Sequence, residues 1–149
     1  MPIKNNSWLS LFLGFLAIPG AVSAQENEAP YDKVQEVFSG NKTVVGEQVD
    51  FPKENDSIRS VIVTMEPGER TEWHRHGTPL FAYILEGELI VTYEGVGERH
   101  YKKGDALLEA MTVTHQGHNT GAEPVRILAV FLEGDSNSLT IAEEAPVKN

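Results

Sequence analysis

The chain has 149 residues, about one domain's worth, with 22 Asp and Glu against 12 Lys and Arg and a net charge of −10. That balance argues against nucleic acid or an anionic membrane surface as a partner, because both demand a basic patch. There is no cysteine, so disulfides are excluded and stability must come from a packed core, a bound metal or oligomerisation.

Residues 1–24 read as a signal peptide. Lys4 supplies a weakly positive start, Trp8 to Ile18 form an apolar run, and Val22-Ser23-Ala24 offers the small residues that a signal peptidase reads. Cleavage is expected between Ala24 and Gln25, and the run is too short for the roughly 20 residues that span a bilayer. The expected location is therefore periplasmic or secreted, with no membrane contact after cleavage. Residues 25–42 follow as a polar lead-in.

From Thr43 onward the sequence reads as strand, turn, strand. Short runs rich in Val, Ile, Thr, Tyr and Phe alternate with Gly, Pro, Asn and Asp. Strands are expected over 43–46, 58–66, 72–76, 80–85, 88–93, 98–102, 106–110, 113–115 and 125–133. Glu66-Pro67-Gly68-Glu69 has Pro and Gly where a type II turn wants them. Gly95-Val96-Gly97 suits a hairpin. About nine short strands without helical periodicity predict an all-β sandwich or barrel over 43–133, a single domain. Residues 134–149 read as a polar, solvated tail.

The chemistry concentrates in Trp73-His74-Arg75-His76 and His115-Gln116-Gly117-His118-Asn119. Residues two apart in a strand project to one face, so His74 and His76 can aim two imidazoles at one point. A third, His115, arriving from a distant strand would complete three neutral nitrogen donors for a divalent transition metal, with positions left open. His118 has the opposite strand parity to His115 and reads as a rim residue. His100, among charged residues on a hairpin strand, reads as solvated. Arg75, between the two histidines, reads as a surface ion-pair residue. Gln116 is placed near the mouth of the site. Trp73, Phe81 and Tyr83 are either cavity lining or ordinary core.

Glu109 stands alone in the apolar run Ala106-Leu107-Leu108-Glu109-Ala110-Met111, on the face opposite Ala106 and Leu108. An ionised carboxylate in an apolar interior is costly unless it is paired or bound to metal. Glu109 is thus either a ligand or general base, or a strand-end carboxylate that reaches water.

These segments resemble the cupin family. Gly68, five intervening residues, His74 and His76, then Gly87, follow the first part of its pattern; Gly104, His115 and Asn119 follow the second. The resemblance covers roughly residues 59–131 and implies a cupin-type jelly-roll β-barrel (a double-stranded β-helix) with a metal on His74, His76 and His115. Leu80 stands where the family usually has a metal-binding Glu, and Ala110 and Thr112 replace its Pro and Gly. By position Glu109 resembles the family's inward-facing residue before that Pro. A three-His site resembles those of certain cupin dioxygenases, whose iron keeps positions open for substrate and oxygen. Fe, Mn, Zn, Cu and Ni all suit it.

The reading favours a metalloenzyme acting on a small organic molecule, by oxygenase, isomerase or lyase chemistry, with Glu109 as the candidate catalytic group. The alternative is a non-catalytic module that binds a metal or small ligand, which the loss of the family Glu would favour. Because dimers are frequent among proteins of this kind, the resemblance also allows a homodimer.

Overall fold

A computed structural model describes residues 33–54, 57–134 and 138–147. The expected signal peptide and the first part of the lead-in lie outside these residues. The chain divides into two units, Met1–Val34 and Gln35–Asn149. Of the first, only Lys33 and Val34 are described, and both are exposed.

The second unit is built from nine strands among the described residues: β1 (Ser57–Met65), β2 (His74–His76), β3 (Leu80–Glu86), β4 (Glu88–Tyr93), β5 (Gly97–Lys102), β6 (Ala106–Leu108), β7 (His115–His118), β8 (Val125–Glu133) and β9 (Thr140–Ala142). They form two antiparallel sheets, one ordered β1-β8-β3-β6 and the other β5-β4-β7-β2-β9. The longest ladder joins β1 to β8 over nine pairs, from Ser57 opposite Glu133 to Met65 opposite Val125. Strands far apart in sequence are therefore neighbours, as a jelly roll requires.

Period-two burial explains why the two sheets face each other. Leu80, Ala82 and Ile84 of β3 and Leu89, Val91 and Tyr93 of β4 point inward and are buried, while the residues between them are less so. Met65, Ile84, Leu89, Val91, Tyr93, Ala110 and Val125 pack as one core cluster; Leu80, Ala129 and Phe131 pack as another. The expected all-β jelly-roll barrel is the fold observed.

Turn chemistry holds the strands in register. Glu69 N–H donates to the Glu66 carbonyl at 3.0 Å, and Gly68 takes φ +84°, as a type II turn needs. Gly87, between β3 and β4, combines φ +74° with a close approach: a Cβ there would stand 2.6 Å from the Pro124 carbonyl oxygen.

Three segments depart from the sequence reading; the strand expected over 113–115 lies instead at His115–His118. Residues 43–46 are not a strand but a tight turn, because Thr43 and Glu47 close on each other: Thr43 N–H donates to the Glu47 carbonyl, and Glu47 N–H to the Thr43 hydroxyl. Within the expected solvated tail, Thr140–Ala142 forms β9, paired with β2 and opposite His74, Arg75 and His76. Open backbone groups along the edge of β2 provide the reason: a paired edge satisfies them.

Candidate metal centre

β2, only three residues long, projects His74 and His76 to one face and Arg75 to the other. Arg75 meets Glu143 at 2.5 Å, the surface ion pair expected of it. On the inner side, β2 runs antiparallel to β7 with His74 opposite His115. That single register pair brings the distant third imidazole to the first two.

The three rings form a compact cluster. Centroids lie 4.4 Å apart for His74 and His115, and 5.1 Å apart for His74 with His76 and for His76 with His115. One potential ligand atom from each lies within 4.8 Å of the others, a group that can hold a metal ion. His76 and His115 are buried and His74 is partly so.

Every ring is oriented by a backbone carbonyl. Nδ1 of His74, His76 and His115 meets the carbonyls of Glu72, Leu139 and Val113 at 2.7, 3.1 and 2.9 Å. A carbonyl can only accept, so each Nδ1 carries the proton and each Nε2 keeps a free lone pair. Among the described residues, the buried Nε2 of His115 has no hydrogen-bond partner. A buried, unpaired acceptor is costly, and a metal ion is the partner that this donor set fits. The same second-layer bonds to carbonyls are the usual means of fixing metal-binding imidazoles.

The electrostatics agree. Burial, with His115 and His74 as like-charged neighbours, pushes His76 down to about 3. Burial also lowers His74 and His115 below the ordinary imidazole value, against the opposing pull of their carbonyl partners. All three are neutral near pH 7, the form that ligates.

Glu109 does not reach water as a strand-end residue would; it is buried and lines one cavity together with the three histidines. Its Oε1 accepts from the Tyr93 hydroxyl at 2.7 Å and from Ala110 N–H at 2.8 Å. Burial raises its carboxyl above the ordinary value despite these two bonds. Glu109 lies outside the three-histidine ligand group. Leu80, at the position where the resemblance has a Glu, is buried and apolar and lines the cavity.

Other expected residues sort plainly. His118 ends β7 opposite Ile90 and bridges to Arg70, outside the ligand group. His100 is exposed on β5. The Gln116 amide donates to the Thr71 carbonyl at 2.9 Å. Trp73, Phe81 and Tyr83 are half-buried and do not line the cavity; Phe81 packs against Phe38 at 5.7 Å.

Tyr93 and Glu47 are the residues that the sequence reading missed. Tyr93 sits opposite His115 in the β4–β7 ladder, and its ring lies 5.5 Å from the imidazole. Glu47 receives the N–H groups of Met111 and Thr112 at 2.8 and 2.9 Å and the Thr112 hydroxyl, tying down the loop before His115. Burial works against the ionised form of Glu47, yet these bonds together hold its carboxyl below the ordinary value. Only strand alternation could have flagged Tyr93, and nothing local marks Glu47.

Residues 61–131 match the family model described as Cupin domain. The chain is similar to oxalate decarboxylase OxdC of Bacillus subtilis (strain 168), 27% identical over 131 residues, covering 76% of this chain and 34% of that protein. It thus spans about a third of the length of that curated relative. An arginine-to-alanine variant of the B. subtilis enzyme aligns with a TM-score of 0.50 and 28% identity, over 57% of this chain and 23% of the other. The formate complex of Lactobacillus farciminis oxalate decarboxylase aligns with a TM-score of 0.50 at 24% identity, over 57% and 26%, a likeness of fold alone. Sheet order and histidine placement agree with that likeness: the described residues fold as a jelly-roll barrel with the three-histidine cluster inside, and residues 61–131 of it are similar to a cupin domain.

Proposed function

We propose that this protein is an exported, metal-dependent cupin enzyme that acts on a small organic molecule, with one divalent transition metal held by His74, His76 and His115. The observation that carries the reading is the convergence of three oriented imidazoles, one of which, His115, has a buried Nε2 without a hydrogen-bond partner among the described residues. Once bound, the ion would supply Lewis acidity and a template for substrate.

The chain's own residues supply the rest. Glu109 is the acid–base group: it lines the cavity, and burial raises its carboxyl above the ordinary value. Tyr93 holds that carboxyl in place by donating to it. The apolar walls exclude bulk water from the reacting centre. Likeness to oxalate decarboxylases favours lyase chemistry within the oxygenase, isomerase and lyase range that the ligand set admits.

A non-catalytic metal- or ligand-binding module is the second reading, favoured by the apolar Leu80 at the position of the family acid. The inward carboxylate of Glu109 weighs against it, because a pure binding site needs no acid–base group there.

The test is elemental analysis of protein recovered from an exported fraction. About one transition-metal ion per chain is expected in the wild type and none in His115→Ala, on a chain whose N-terminus begins at Gln25. Full metal occupancy without His115, or a metal-free wild type, would overturn the site; an N-terminus at Met1 would overturn export.

A further inference from the structure

The three histidines line a cavity of about 420 Å³ whose remaining lining is mostly apolar. Ile84, Leu89, Val91, Ile127 and Phe131 are among the side chains that line it. Among the described residues no Lys or Arg does so, and the acidic side chains there are Glu72 and Glu109. Glu72 is exposed, which puts a negative charge where the cavity meets solvent. Cavity size also depends on two small residues: Ala82 of β3 and Ala129 of β8 stand opposite each other, and both line it.

We propose that the site takes a compact hydrophobic molecule, neutral or with a single metal-binding group, and does not take a small dianion such as oxalate. This rests on the metal-dependent reading above and adds the substrate class. Two physical arguments carry it. An anion brought into an apolar interior needs a cationic partner; the described walls offer none, and the exposed Glu72 carboxylate at the mouth repels it. A metal ion could neutralise a bound dicarboxylate, so volume decides. Oxalate has six heavy atoms, as many as benzene, so it needs no more than about 150 Å³; it fills less than half of the space and leaves the apolar walls unmatched. An apolar cavity of about 150 Å³ already takes benzene; this one suits a bicyclic or similarly sized molecule.

The experiment is a fluorescence titration of the full chain, metal-free and zinc-loaded, with naphthol as probe and oxalate as competitor. Saturable binding of one naphthol per chain is expected in both forms, undisturbed by millimolar oxalate. Filling the cavity by Ala129→Phe, or more conservatively by Ala82→Leu, should weaken naphthol by about tenfold or more while metal content stays unchanged. Undiminished binding in a folded cavity-filled variant, or displacement of naphthol by oxalate, would overturn the proposal. A chain that holds metal but not naphthol sinks this inference alone; one that holds naphthol but never metal sinks the metal reading alone.

Discussion

The Tyr93 hydroxyl donates to Glu109 at 2.7 Å while the same ring lies 5.5 Å from the His115 imidazole. One side chain on β4 therefore touches both the buried acid and a candidate ligand. Tyr101 extends the contact, its hydroxyl 3.1 Å from that of Tyr93. Burial pushes Tyr101 up to about 12 and Tyr93 further, so both remain protonated and able to donate at physiological pH.

Replacing Tyr93 with Phe should therefore cost about 1–3 kcal/mol of stability, since a buried carboxylate loses one of its two donors. A double-mutant cycle with Glu109→Gln, read by urea unfolding, should show a coupling of about 0.5–3 kcal/mol. Strict additivity would mean that the bond is not made in solution.

The histidine cluster fixes the pH response of the metal-free protein. In the unfolded chain each imidazole takes up a proton near 6.5; in the folded chain all three are shifted down, His76 to about 3. Between those values the unfolded state binds more protons, so stability falls as pH drops below 6.5. The slope is up to about 1.4 kcal/mol per pH unit for each histidine. Glu109 works with the opposite sign: its folded value is raised above 4.5, so its contribution is present at low pH and is lost as pH rises through that raised value. Unfolding of the Glu109→Gln variant in a chelator, at pH 7 and pH 5, isolates the histidine effect; equal stabilities would contradict it.

His76→Ala should abolish stoichiometric metal binding, because two imidazoles remain where three converge. Equilibrium dialysis with zinc measures it. Unchanged occupancy would remove His76 from the ligand set.

Asn119 has a different task, although it belongs to the same sequence motif as His115. It is fully buried; its amide donates to the carbonyls of Met65 and Glu123, both at 2.9 Å, and its Oδ1 accepts from Gly121 N–H at 2.9 Å. Asn119→Ala should cost about 2–4 kcal/mol by leaving these groups unpaired, without changing metal content in the protein that remains folded. A loss below about 1 kcal/mol in chemical denaturation would show that water replaces the amide.

Much of the site was legible in the residues. His74 and His76 share a face because strand periodicity is local, and the same rule put Arg75 on the ion-paired side. The hairpin from Glu88 to Lys102 followed from its Gly-rich turn and β-branched flanks. Burial of Glu109 was one of two open readings, and its neighbours in sequence could not choose between them. β9 was illegible for a different reason: Thr140–Ala142 is only three residues long, too short to show a pattern, and is extended because β2 needs a partner. The turn at Thr43 and the anchoring by Glu47 depend on contacts with the loop before His115, more than sixty residues away.

Periodicity, turn residues and charge balance were enough to determine an all-β chain with inward-facing histidines, since each depends only on near neighbours along the backbone. Which partner each strand meets, and in what register, was decided by the folded sheet. That pairing sets His115 against His74, Tyr93 against His115 and Ala82 against Ala129. Such contacts arise from packing the whole barrel, so no stretch of sequence contains them.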